Sequence, residues 1–274
     1  MHFHDAVAND NCRENSTLTI DPKARFSRRA LYYSKFRPRY PEAIRGFMEL
    51  ELGLTRESIV ADVGSGTGIL SELFLKQGNT VFAVEPNQEM RITAERLLSK
   101  YSNFRSVEGS AEDTTLPSAS VDFVMAGQAF HWFNPIQAKV EFARILKPKG
   151  WVLLIWNVRQ VSTRFMQEYE ALLNEFASRH AFTSRTTKER IGSEGLRNFL
   201  GQYNEKRFEN SQVFDFEGLK GRLLSASYVP LPGEEGYDGM LAELRRIFNS
   251  YRKNGAVIFE YETEVYYSQL YEQT

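Results

Sequence analysis

Between residues 58 and 156 the chain alternates two hydrophobic periods. Short apolar runs read as buried strands: SIVADV (58 to 63), TVFAVE (80 to 85), NFRSVE (103 to 108), VDFVMA (121 to 126) and KGWVLLIW (149 to 156). Between them, 68 to 77, 87 to 100 and 135 to 146 read as helices. This alternation predicts a parallel sheet covered by helices on both faces, with ligands outside the carboxyl ends of the strands where strand order reverses. After Asn157 the rhythm changes, and 164 to 204 reads as two or three amphipathic helices with the stripe Phe165, Tyr169, Phe176 as core. Long β-rich stretches return at 205 to 217 and 256 to 270, separated by helices near 218 to 227 and 239 to 252 and the loop VPLPGEEGYDG.

Composition changes the picture little. At 274 residues and 42% hydrophobic, the chain has material for one large core, or one core with a small appendage. Lys plus Arg (34) nearly balances Asp plus Glu (35), so no global field draws in nucleic acid or an anionic membrane. The single cysteine, Cys12, excludes an intramolecular disulfide and a cysteine-based zinc site. The apolar run WVLLIW falls far short of the roughly 20 residues a membrane-spanning helix needs, and no membrane contact is expected. Residues 1–20 lack the apolar centre of a signal peptide and carry Asp5, Asp10 and Glu14, so they read as a flexible tail of a cytoplasmic protein. His2 and His4 have no later partner and read as solvated; no metal is expected.

The chemistry concentrates in VADVGSGTGIL (60 to 70), where Asp62 precedes glycines at 64, 66 and 68. A dinucleotide turn has the spacing G-x-G-x-x-G, facing a pyrophosphate. The spacing here is G-x-G-x-G, and a glycine-rich turn without a ligand looks similar. Asp-x-Gly-x-Gly-x-Gly resembles the first motif of class I S-adenosylmethionine (SAM) dependent methyltransferases, and implies that Asp62, Gly64, Ser65, Gly66 and Gly68 meet the cofactor. Glu85 at the second strand end suits two ribose hydroxyls, or is a solvated strand end. EGSAEDTTLP (108 to 117) resembles the family's adenine-side segment, placing Ala111 and Glu112 at the base edge, with Pro86, Asn87 and Met90 flanking the ring. Met90 also fits plain helix packing. DFVMAGQAFHWF (122 to 133) resembles the segment that faces cofactor and acceptor, bringing in Gln128, Phe130, His131, Trp132 and Phe133.

Upstream, FSRRALYYSKFRPRYP (26 to 41) resembles the entry segment of small-molecule methyltransferases related to the ubiquinone-biosynthesis and trans-aconitate groups. That resemblance implies a lid, with Tyr33 and Arg37 near the methionine end of SAM. Eight Lys/Arg against two acids in 21 to 45 also suit a basic nucleic-acid arm, but the balanced charge of the rest favours the lid. The Asn/Asp-Pro-Pro-aromatic motif of amino-group methylation is absent after the fourth strand.

The resemblance implies an α/β, doubly wound, Rossmann-like seven-stranded mixed sheet, the last strands antiparallel, with a helical cap. The expected divisions are a tail (1–20), lid helices (21–57), a SAM-binding core (58–157), a helical cap or substrate insertion (158–204) and the C-terminal part of the core sheet (205–274). The expected reaction is methyl transfer to oxygen or carbon of a small molecule, giving S-adenosylhomocysteine (SAH). A hydroxyl or acidic carbon needs a base, and His131 is the candidate, although a histidine between Phe130 and Trp132 also fits a packed structural role. Trp132 and Phe133 would wall the acceptor pocket, with Phe130 and His131 beside them. Arg159 and Arg164 either bind an anionic acceptor or are surface charges. The alternatives are a SAM-binding protein without transferase activity, an RNA-directed methyltransferase and a nucleotide-dependent oxidoreductase. The partners expected are a small-molecule acceptor and at most a second copy of the chain.

Overall fold

A computed structural model describes residues 30–176, 184–226 and 228–270. The expected tail, with His2, His4 and Cys12, and the first part of the lid lie outside the described residues. Helices α1 (Ala30–Phe36) and α2 (Glu42–Glu51) lead into β1 (Ile59–Val63), α3 (Ile69–Leu75), β2 (Thr80–Val84), α4 (Gln88–Leu98) and β3 (Phe104–Val107). There follow β4 (Val121–Gly127), a single 3-10 turn (Phe130–Trp132), α5 (Pro135–Ile145), β5 (Leu146–Arg159), α6 (Arg164–Phe176) and α7 (Ser184–Leu200). The chain closes with β6 (Asn204–Phe214), α8 (Phe216–Leu224), α9 (Tyr237–Tyr251) and β7 (Val257–Ser268). Side chains start several of these elements. Asn87, Asn134 and Asp215 each accept backbone N–H bonds at the first turns of α4, α5 and α8, and Pro135 pre-sets the first turn of α5.

The seven strands form one sheet in the order β3-β2-β1-β4-β5-β7-β6. Strands β1 to β5 are parallel, β7 pairs antiparallel with β5, and β6 pairs antiparallel with β7. The sheet is therefore mixed as expected, but only β7 runs against the rest. The edge strand β6 shares the direction of β1 to β5, because β7 returns between β5 and β6. Strand order reverses between β1 and β4. Helix α3, after β1, packs with α2 in one apolar cluster (Ile44, Met48, Phe74, Met125), and α5, after β4, packs with the end of α7 in the other (Ala138, Phe142, Phe199, Leu154). The helices leave on opposite faces, opening a crevice at the strand ends.

Strand β5 runs three residues beyond the expected end, to Arg159, which pairs with Tyr261 of β7. On this upper part of β5 and β7 a third apolar cluster forms from α6, α8 and α9, including Tyr169, Leu219, Leu223, Leu244 and Phe259. Phe165, Tyr169 and Phe176 all belong to it or pack on it, as the helical stripe predicted. Helix α1 lies against α8, where Phe36 occupies the space that a side chain at Gly221 would need. The Arg37 Nη2 donates to the Ser225 carbonyl (3.0 Å), tying the end of α1 to the end of α8. Among the described residues, no helix is long and apolar enough to cross a membrane.

The loop after β3 is held by one buried carboxylate. Glu141 on α5 accepts from the Thr114 N–H (2.8 Å) and hydroxyl (2.5 Å), and pairs with Arg144 (2.7 Å). Burial opposes ionisation, but these hydrogen bonds outweigh it and hold the Glu141 carboxyl below its ordinary range. Thr114 is fully buried, so removing Glu141 strands its N–H. Glu141→Ala is expected to cost about 3 kcal/mol, read as a lower urea midpoint at unchanged slope; an unchanged midpoint would count against the anchor.

Candidate active site

The three glycines after β1 serve three different purposes. A Cβ at Gly64 would lie 2.6 Å from the Ala129 Cβ, and one at Gly68 would lie 2.5 Å from the Leu98 Cδ1. Gly64 thus lets the turn approach the end of β4, and Gly68 lets α3 pack on α4. Gly66 has φ 57° and nothing within 4 Å of its missing Cβ. Of the three, it is the one that faces open space.

That space is a cavity of about 320 Å³ lined by the glycine turn, Glu85, Pro86, Asn87, Met90, Ser110, Ala111, Glu112, Gln128, Trp132 and Phe133. The Glu85 carboxylate lies over the turn, accepting from the Gly66 N–H (2.9 Å) and the Asn87 N–H (2.8 Å). Glu112 accepts from the Asn134 N–H (2.7 Å), joining the adenine-side loop to the start of α5. Gln128 sits at φ 57°, a left-handed conformation uncommon outside glycine, with its Nε2 donating to the Asn157 carbonyl (2.8 Å).

Tyr33, Gly64, Gly66, Gly127 and Gln128 also line a second, smaller cavity of about 50 Å³. Its other walls include Arg37, Tyr40, Asp62, Ser65, Asn157, Arg159 and Arg222. The two spaces therefore meet at the glycine turn. Four polar atoms of residues lining the small cavity, Arg37 Nε, Asp62 Oδ1, Ser65 Oγ and Asn157 Nδ2, are buried without a hydrogen-bond partner among the described residues. Buried polar atoms are ordinarily paired, so this concentration fits a polar ligand. Burial pushes the Asp62 carboxyl up to about 7, against the pull of the Ser71 hydroxyl at 2.6 Å, and Glu85 adds to the rise.

The sequence profile described as Methyltransferase domain matches residues 61–154. An uncharacterised methyltransferase of Schizosaccharomyces pombe is 30% identical over 220 residues, covering 80% of this chain and 84% of its own. The class I S-adenosylmethionine-dependent methyltransferases include this chain. An uncharacterised methyltransferase of Mycobacterium tuberculosis is 35% identical over 137 residues, half of this chain and 53% of its own. Among solved structures, one described as a type II methyltransferase from Anaeromyxobacter dehalogenans superposes with a TM-score of 0.65 at 22% identity, over 85% of this chain and 98% of that one. At that identity the likeness establishes the fold.

Within this methyltransferase, the two cavities gather Tyr33, Arg37, Asp62, Gly64, Ser65, Gly66, Glu85, Pro86, Met90, Ala111, Glu112, Gln128 and Trp132. Gly68, Phe130 and His131 line neither. Phe130 is buried, its ring centroid 4.5 Å from that of Phe199, while Phe133 lines the large cavity beside Trp132. The half-buried His131 ring lies tilted at 45° beside that of Trp132, centroid to centroid 4.8 Å. Arg159, weighed as a surface charge, is 9% exposed and paired with Glu170 (2.9 Å). Tyr40, Asn157 and Arg222 were missed. Arg222 had a signal: a charged residue beside Leu219 and Leu223, on the apolar face of a short helix.

Two predictions follow from this geometry. Gly64→Ala drives a methyl group into Ala129 and should lower Tm by several degrees, whereas Gly66→Arg projects into the cavity and should cost about 1 to 2 kcal/mol of left-handed strain while removing ligand binding; equal Tm losses would contradict the assignment. The raised Asp62 value, well above the ordinary 3.8, stabilises the fold below about pH 4, and that contribution is lost as pH rises through about 7. The Tm of Asp62→Asn relative to the parent should therefore climb between pH 5 and pH 8, and a constant difference would place Asp62 in a wetter site.

Proposed function

We propose that this enzyme transfers a methyl group from SAM to oxygen or carbon of a small-molecule acceptor, releasing SAH. The observation that carries the proposal is the pair of cavities joined at Gly64, Gly66 and Gln128, one suited in size to a nucleoside and the other lined with unpartnered polar atoms. SAM supplies an electrophilic methyl on a sulfonium. The chain's task is then placement and exclusion of water. Glu85 offers its oxygens to ribose hydroxyls, and the Ala111–Glu112 segment and Met90 flank the base. Asp62 and Arg37 offer opposite charges to an amino-acid end. Tyr33 and Gln128, common to both cavities, hold the junction. The residues that carry these atoms, unpartnered among the described residues, line a small cavity, which favours a small acceptor over a nucleic-acid strand. His131 lines neither cavity, so alignment carries more of this reading than base catalysis.

Calorimetric titration with SAH, with NADH in parallel, tests the proposal. Micromolar SAH binding with silent NADH is expected, and silence with SAH would refute it. Glu85→Ala should weaken SAH by about 1 to 3 kcal/mol, from lost ribose hydrogen bonds. An unchanged affinity would reduce Glu85 to a brace for the glycine turn.

A further inference from the structure

One wall of the small cavity comes from outside the sheet. Arg37, Pro38 and Tyr40 line it, and they belong to the segment that joins α1 to α2. Residues 37 to 41 form neither helix nor strand, so their backbone groups need partners elsewhere. Two carboxamides on the edge strand β6 supply them. The Asn210 Nδ2 donates to the Arg39 carbonyl (2.8 Å), and the Gln212 Nε2 donates to the carbonyls of Phe36 and Arg37 (3.4 Å each). Two positions apart on a strand, the amides share one face of the sheet with Phe208, which meets Phe47 of α2. Arg39 is held from a second element as well, where its guanidinium pairs with Glu72 of α3. The Arg39 side chain is 64% exposed and such ion pairs contribute little, so the carbonyl contacts on β6 carry more of the hold.

Each amide is braced in turn by a residue of the cavity wall. The Asn210 Nδ2 also donates to the Asn157 Oδ1 (3.0 Å) and lies 3.3 Å from the Thr263 Oγ1, while the Thr263 hydroxyl donates to the same Asn157 Oδ1 (2.5 Å). The Gln212 Oε1 accepts from the Tyr261 hydroxyl (3.1 Å), which accepts from the Arg222 Nε (2.7 Å). Asn157 and Arg222 line the small cavity, whereas Asn210 and Gln212 line neither cavity. A carboxamide nitrogen has two hydrogens, and Asn210 has three oxygens within reach. With the segment seated, Arg39 and Asn157 take both hydrogens. With the segment away, the hydrogen that leaves Arg39 still has the Thr263 Oγ1 to meet, so unseating strands no donor at Asn210.

We propose that Asn210 and Gln212 are positioning residues for methyl transfer, which seat the segment carrying Arg37 and Tyr40 against the cofactor and let it lift for exchange of SAM and SAH. The assignment rests on the cofactor site proposed above. Neither residue meets the reacting atoms, so both act through the segment. A seated segment keeps water from the methyl donor, and a lifted one frees the product. A few replaceable hydrogen bonds serve both needs. Because the braces of the two amides reach cavity-wall residues, seating of the segment and occupancy of the cavity favour each other.

Stopped-flow dissociation of SAH and hydrogen exchange of the peptide covering residues 33 to 40 test this on the full chain, using the parent, Asn210→Ala, Gln212→Ala and Ser211→Ala. Asn210→Ala should speed SAH release about tenfold and Gln212→Ala, whose bonds are longer, about threefold, with association not slowed. Exchange of the 33 to 40 peptide should quicken in both variants while peptides from β1 and β4 keep the parent's rates. Ser211, exposed on the other face of β6, should alter neither readout. A lowered Tm with unchanged release and unchanged exchange reduces the amides to structural supports and overturns the proposal. An equal effect of Ser211→Ala traces the change to the strand as a whole and also overturns it. If circular dichroism shows Asn210→Ala unfolded, Gln212→Ala decides by the same two readouts. Silence of the parent toward SAH fails the cofactor site itself, and exchange of the 33 to 40 peptide then decides whether β6 seats the segment.

Discussion

Strands β1 and β4 lie side by side, yet the helices that follow them depart on opposite faces of the sheet. Parallel strands joined by right-handed crossovers allow this at a reversal of strand order, and there the backbone cannot fill the gap at the strand ends. Every functional feature described above depends on that gap. The glycine turn enters from the β1 side, Gln128 from the β4 side, and Glu85 crosses from β2 to fasten the turn through the Gly66 N–H. Helix α1 then roofs the crevice, held by Arg37 at the end of α8.

The crevice is electrically divided. Its β1 end has a carboxyl group that burial raises to about 7, and its β5 and α8 end has guanidinium groups that outnumber their ion-paired carboxylates among the described residues. A folded chain tolerates such an arrangement only because apolar packing elsewhere is extensive, with three clusters covering both sheet faces and the upper part of β5 and β7. Asn157 links the two halves: its carbonyl fixes Gln128 at the junction and its side chain is braced from β6 and β7.

Local patterns made much of this legible. The βαβα core and its helix starts near Asn87 and Asn134 could be read from local spacing, and Asp62, Glu85, Ala111 and Glu112, singled out by family resemblance, line cavities at the strand ends, whereas α8 starts at Asp215 inside a stretch that read as β-rich. What escaped depends on contacts between distant segments. The direction of β6 is set by β7 inserting beside β5, which no local period encodes. Gly68 carries the same motif letter as Gly66 but answers to Leu98, thirty positions away in the chain. Phe130, placed with Trp132 and Phe133 by the sequence, is drawn away from the cavity by packing on Phe199, nearly seventy positions on. Arg159 looked like a solvent-facing charge until its partner Glu170 folded over it from α6.

Residues matching the methyltransferase profile stop at 154, three residues short of Asn157, where β5 has run past the end of β4 and is paired with β7 alone. The α6, α8 and α9 cluster stands on that extension and has its own apolar interior. Mutational drift in these helices would reshape one pocket wall while leaving the turn at Gly64 to Gly68 intact. Among the described residues, α8 alone of these three helices supplies a residue to the small cavity, Arg222, so the turn and the apolar cluster above it meet at a single side chain.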